Sequence, residues 1–150
     1  MTHPSKPLAE PVLAPLGIAI AGVGHMGRMY ARLVADLPEF RLTGLYDVQP
    51  EAAAETARQY GVPAYDTFTG LLADPAVEAV LIAVPDRHHR RPEEEALAAG
   101  KHVFLEKPLA TTIADGEAMC RQAAASGRLL FVAHTLRFDP RYASVRAAVH

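Results

Sequence analysis

The 150-residue chain has a single cysteine, Cys120, and no tryptophan. One thiol excludes an intrachain disulfide and any thiolate metal cluster, and it fits a cytoplasmic protein. A charge excess is also missing. Fifteen basic against 17 acidic residues leave a formal net charge of -2, which gives no general attraction for nucleic acid or anionic lipid. No apolar run approaches the roughly 18 residues that a membrane helix needs. The first fifteen residues carry Pro4, Pro7, Pro11 and Pro15 and no apolar stretch of roughly 7–15 residues, so they read as a loose leader and not as a secretory signal.

What is present is an ordinary globular composition. Hydrophobic residues make up 50% of the chain and charged residues 21%, enough apolar side chain for one domain with a real core. The pattern alternates strand and helix from end to end. Strands are expected at Ile18–Ala21, Arg41–Tyr46, Ala79–Val84, His102–Leu105 and Leu129–Ala133, with a very short one at Ala64 and Tyr65. Helices are expected over Met26–Asp36, Glu51–Tyr60, Thr67–Ala73, Arg90–Ala99, Ile113–Ala125 and from Pro140 onward. Ala79–Val84 is apolar without alternation, as suits a central parallel strand covered on both faces. The whole predicts an α/β fold: a Rossmann-type, doubly wound, mostly parallel sheet with helices on both faces.

The chemistry concentrates where strands end. Ile18–Ala21 runs into Gly22-Val-Gly24-His25-Met26-Gly27, and the residues that follow return to a helical pattern. In a dinucleotide site each glycine serves a separate physical need. Gly22 permits the tight turn, Gly24 lets a pyrophosphate approach the backbone, and Gly27 lets helix and strand pack closely. The anion would sit at the new helix's N-terminus, among free N–H groups and the positive end of the dipole. The glycine spacing alone is weak. It gains weight from Asp47, 20 positions after Gly27 at the end of the second strand, where an acid is needed for the adenosine ribose.

Three further stretches follow strands and should line the same crevice: Pro85-Asp86-Arg87-His88-His89, Glu106-Lys107-Pro108, and His134 to Asp139. A lysine at the mouth of a nicotinamide pocket can hydrogen-bond a substrate oxygen and stabilise charge developing on it. Lys107 is therefore the candidate catalytic residue, with Pro108 fixing the backbone behind it through a rigid bond that can be cis. Glu93, Glu94 and Glu95 read as a solvated acidic cap on the helix after His89. His88 and His89 point apart in an extended loop and lack an acid or cysteine set at ligand spacing, so no metal site is expected. His25 is expected to face solvent or the pyrophosphate, while His134 and Arg137 are weaker candidates at the crevice.

These motifs resemble the glucose-fructose oxidoreductase and inositol 2-dehydrogenase family (Gfo/Idh/MocA), and the resemblance spans nearly everything from Leu16 onward. It is carried by the glycine turn, Asp47, Val84 to His89, Ala99-Gly-Lys-His-Val103 with Glu106-Lys-Pro-Leu-Ala110, and Arg137-Phe-Asp-Pro140. It implies an oxidoreductase that passes hydride between a nicotinamide and a sugar, inositol or related polyol, with Lys107 between cofactor and substrate. The implied cofactor contacts are Gly22, Gly24, His25, Met26, Gly27, Asp47, Pro85, Asp86, His89, Glu106 and Lys107. Where the family has Thr-Pro-Asn, this chain has Val84-Pro85-Asp86, an acceptor-only carboxylate that can still cap the following helix. Family members also carry a second α/β domain that supplies most of the substrate pocket and often the oligomer interface. Residues 16–135 accordingly read as the cofactor domain, and 136–150 as the start of a connection to a substrate domain.

Asp47 favours NAD over NADP, because its carboxylate would repel a 2′-phosphate and neither Val48 nor Gln49 supplies a cation. Arg41 or Arg58, folded over the adenosine end, would reverse that preference. Two other functions compete with the dehydrogenase: a non-catalytic NAD-binding or partner-binding module, and an S-adenosylmethionine methyltransferase. The third glycine and Glu106-Lys107-Pro108 disfavour the methyltransferase.

Overall fold

The computed structural model describes residues 14–149. The expected leader, apart from its last two residues, lies outside them. Five parallel strands form the sheet: β1 (Leu16–Ala21), β2 (Phe40–Tyr46), β3 (Ala79–Ile82), β4 (His102–Leu105) and β5 (Leu130–Val132). They lie in the order β2-β1-β3-β4-β5. A lone parallel bridge from Leu45 to Ala64 adds a vestigial sixth position beyond β2. It is held by Leu45 N–H donating to Pro63 O at 3.0 Å and Tyr65 N–H donating to Leu45 O at 2.8 Å. With that bridge counted, the order becomes 3-2-1-4-5-6, that of a doubly wound dinucleotide-binding sheet.

The helices are α1 (His25–Asp36), α2 (Pro50–Tyr60), α3 (Phe68–Ala73), α4 (Arg90–Ala98), α5 (Ile113–Ser126) and α6 (Pro140–Ala148). Local chemistry sets their ends. Thr67 and Thr112 cap α3 and α5 by accepting from Gly70 N–H and Asp115 N–H, and Gly61 and Gly127 close α2 and α5 in the left-handed conformation. Pro92 falls in the first turn of α4, where its missing N–H costs nothing.

Apolar side chains cover both faces of the sheet. On one face Ile20, Leu45 and Leu81 pack with Tyr30, Ala31 and Val34 of α1 and Ala53 and Ala57 of α2. On the other, Ala19, Val80, Ile82 and Leu105 pack with Leu71 and Leu72 of α3, Ala96 and Leu97 of α4 and Met119 of α5. All four residues of β3 are buried, as a central strand requires. After β1 the chain winds first to β2 on one side and then across to β3 on the other. The carboxyl ends of β1 and β3 therefore flank the switch point at which such sheets bind ligands.

One expectation fails on the far side of the sheet. Glu94 and Glu95 do lie at the surface of α4, each paired at 2.7 Å with an arginine one turn earlier, Arg90 and Arg91. Glu93, however, is completely buried and neither of its carboxylate oxygens has a partner. It shares the core-facing side of α4 with Ala96 and Leu97, three and four residues on, and is no solvated cap.

Candidate dinucleotide and catalytic site

The glycine turn has the geometry its sequence requires. Gly22 has a φ of 91°, and a β-carbon there would lie 2.8 Å from the backbone of Ala83. A β-carbon at Gly27 would lie 1.9 Å from Gly22 O, so the start of α1 can approach β1 only with glycine at this position. At Gly24 the space is open, with no heavy atom within 4 Å of the β-carbon position. Gly24 is also the N-cap of α1, whose first turn has neither a side-chain cap nor an acid. Its N–H groups, which cannot bond within the helix, are left for an external anion. His25 is exposed and Met26 half-buried at the same place.

Asp47, at the end of β2, holds this turn from the side. Its Oδ2 accepts the Val23 N–H at 2.6 Å and its Oδ1 accepts the Gln49 N–H at 2.9 Å. Each oxygen keeps a lone pair for a ribose hydroxyl. Neither arginine considered for the adenosine end forms an ion pair with Asp47. Arg41 lies next to Gly17 at the opposite end of the sheet, and Arg58 is in the last turn of α2. Open space above Gly24, an uncapped helix start and a carboxylate at the second strand's end together fit a dinucleotide.

The loop after β3 contributes a short 3-10 turn, Asp86–His88. Pro85 and Asp86 are exposed, and Asp86 Oδ1 accepts the Arg87 N–H at 2.8 Å. The Asp86 side chain therefore bonds only to the next residue of its own turn, whose N-cap is Pro85, and does not cap α4, whose N-cap is His89. The two adjacent histidines diverge: His88 is exposed beside the Arg87 side chain, while His89 is buried. His89 Nδ1 lies 2.8 Å from Pro108 O and its Nε2 lies 3.1 Å from Val84 O. A neutral imidazole can donate to one of these carbonyls and an imidazolium to both. Either way the ring straps the loop after β3 to the loop after β4.

At the end of β4, Glu106 is buried and Lys107 exposed. Glu106 Oε2 accepts the Lys107 N–H at 3.0 Å, its Oε1 accepts a hydrogen bond from the Tyr30 hydroxyl, and the Lys107–Pro108 bond is cis. Burial, followed by the neighbouring Glu106 carboxylate, pushes the Tyr30 phenol above its ordinary value, so Tyr30 remains a donor. Lys107 lines a cleft of about 510 Å3 together with Ala133, His134, Thr135, Leu136 and Arg137. This size accommodates a small molecule. Tyr30 does not stand out in the sequence. Its only signal is its place on the core stripe of α1 with Gly27, Ala31 and Val34, where a buried phenol calls for a polar partner.

A five-stranded parallel sheet in this order, with a glycine turn at its switch point, defines a dinucleotide-binding Rossmann domain. The chain belongs to the Gfo/Idh/MocA oxidoreductase family, whose NAD-binding Rossmann-fold model matches residues 16–134. It is 35% identical over 136 residues to inositol 2-dehydrogenase of Gluconacetobacter diazotrophicus, a match covering 88% of this chain and 40% of that protein. It is 29% identical over 133 residues to the NADP(+) scyllo-inositol 2-dehydrogenase IolU of Bacillus subtilis, covering 88% and 40%. Among solved structures, UDP-N-acetylglucosamine 3-dehydrogenase GnnA of Acidithiobacillus ferrooxidans superposes with a TM-score of 0.83 at 31% identity, over 91% of this chain and 42% of that one. The chain thus spans about 40% of the length of the curated relatives it matches. Among the described residues there is no group of three histidine, cysteine or acidic side chains arranged to hold a metal ion. No helix of the described residues is long and apolar enough to cross a membrane.

Proposed function

We propose that this chain is the cofactor-binding part of an NAD-dependent oxidoreductase acting on a sugar, inositol or related polyol. The observation that carries the reading is convergence: the glycine turn, Asp47, the Pro85–His89 loop and Glu106-Lys107-Pro108 all follow carboxyl ends of adjacent parallel strands. In this reading Gly22, Gly24, His25, Met26 and Gly27 receive the pyrophosphate and Asp47 the adenosine ribose. Pro85, Asp86, His89 and Glu106 shape the nicotinamide end. A bound nicotinamide supplies or accepts the hydride. Lys107 donates a hydrogen bond to the substrate oxygen in the cleft that it lines, stabilising negative charge there. The preference for NAD over NADP rests on Asp47, which faces the ribose without a neighbouring cation. The cytoplasm and a homo-oligomeric state belong to the same proposal.

Fluorescence titration tests it. NADH should bind with a blue-shifted nicotinamide emission, and NADPH about tenfold more weakly or worse, as expected when an unpaired carboxylate meets a phosphate. Lys107→Ala should leave NADH affinity within about threefold while lowering turnover of the full-length enzyme, the signature of a group acting on the transition state. A folded chain that ignores NADH would sink the proposal, and equal affinity for both cofactors would remove the NAD preference.

A further inference from the structure

The exposed Lys107 is gripped through the residues on either side of it. Behind it, Pro108 O lies 2.8 Å from Nδ1 of the buried His89. Ahead of it, Glu106 holds the Lys107 N–H with one carboxylate oxygen and the Tyr30 hydroxyl with the other. Tyr30 belongs to α1, 76 residues away in sequence, and lies one helical turn beyond Gly27. Its ring is fixed edge-on to Phe104 of β4, with centroids 5.6 Å apart and planes at 68°. Tyr30 and Glu106 are 8% and 7% exposed, so water does not compete freely for this hydrogen bond. The helix whose N-terminus forms the glycine turn is therefore joined, through one phenol and one carboxylate, to the backbone amide of the candidate catalytic lysine.

The geometry points to Tyr30 as a positioning residue that couples occupancy of the glycine turn to the placement of Lys107. The inference rests on the reading of Lys107 and the glycine turn given above. An anion drawn onto the first turn of α1 orders that helix. Tyr30 carries the restraint to Glu106, and Glu106 carries it to the Lys107 N–H. The phenol does not touch the reacting atoms; it acts through Glu106.

Amide hydrogen exchange on the 150-residue chain, with and without NADH, tests the coupling. Tyr30→Phe keeps the ring against Phe104 and removes only the hydroxyl. It should raise Lys107 amide exchange about tenfold while Val103 and Leu105 in β4 exchange as before, a local opening and not a global one. Glu106→Gln, which keeps the side-chain length, should do the same. Adding Tyr30→Phe to Glu106→Gln should bring little further change, because Tyr30 reaches the Lys107 N–H only through Glu106. In the unaltered chain NADH should slow Lys107 exchange severalfold, and in Tyr30→Phe that slowing should vanish although NADH still binds. Unchanged Lys107 exchange in Tyr30→Phe, a uniform rise across the sheet, or NADH-dependent protection that survives the substitution would each overturn the coupling. The comparison without NADH separates the two ideas. If NADH fails to bind the unaltered chain, the nicotinamide reading and the coupling to it fall together, while the exchange rates without cofactor still report whether Tyr30 holds Lys107.

Discussion

Glu106 and Glu93 are both withdrawn from solvent, at 7% and 0% exposure, yet they live in opposite circumstances. Glu106, where β4 ends, has a phenol on one oxygen and a backbone N–H on the other. Glu93, on the core side of α4, has no partner on either oxygen. Burying a carboxylate is costly unless donors replace the water it loses. The contrast teaches that the mouth of the candidate site is built to hold a charge, whereas the first turn of α4 merely tolerates a carboxyl. Burial pushes Glu93 up from 4.5 to about 7, with Glu94 adding to the shift and Arg90 opposing it. A group kept neutral in this way ties stability to pH. Its contribution is complete below the unfolded value near 4.5 and is lost as pH rises through about 7.

The sharpest way to break the comparison is to delete each carboxylate in turn. Glu106→Ala strands the Tyr30 hydroxyl and the Lys107 N–H and should cost about 3 kcal/mol, read from urea denaturation at neutral pH. A neutral or stabilising result would mean that its two hydrogen bonds do not offset its burial. Glu93→Gln should go the other way. It mimics the protonated acid, so its stability should nearly match that of the parent at pH 5. By pH 8 it should exceed the parent by on the order of 2 kcal/mol, less than the full shift because the carboxyl can relax toward water. Parallel denaturation curves at the two pH values decide this, and a constant difference between the two proteins would show that Glu93 does not titrate as buried.

How far this difference can be read in the sequence depends on what each residue must touch. The glycine turn, the acid after the second strand, the five strands and the six α-helices of the described residues are legible, because turn chemistry, caps and apolar runs act over a few residues. β3 nevertheless ends at Ile82, two residues before the expected Val84, and the short turns Asp86–His88 and Thr135–Phe138 are not foreseen. The parallel direction of the strands follows from β/α alternation, whereas the order β2-β1-β3-β4-β5 is seen only in the structure. The fate of a glutamate at a strand end or on a helix is set by partners far away in sequence. Glu93 belongs to a run of three acids that looks like a solvated first turn, yet its spacing to Ala96 and Leu97 places it on the apolar stripe. Tyr30 is concealed by the reverse circumstance, since a tyrosine on a core face reads as packing until its hydroxyl is found on Glu106. The acid itself is legible at the end of the second strand, but the two backbone hydrogen bonds by which Asp47 braces the turn are not.

A third carboxylate calibrates the other two. Asp86 is exposed and accepts a single local N–H, from Arg87 at 2.8 Å. With water available to it, the cost that separates Glu93 from Glu106 does not arise, and Asp86→Asn should change folding stability by less than about 0.5 kcal/mol at both pH 5 and pH 8. Its effect should appear in binding instead. On the proposed reading its charge faces an anionic cofactor across the site, so removing it should strengthen NADH binding a few-fold at low ionic strength. The gain should shrink as salt screens the repulsion over a Debye length of about 10 Å at 0.1 M. A gain that persists in high salt would instead assign it to the new amide's hydrogen-bond donor, which a carboxylate lacks.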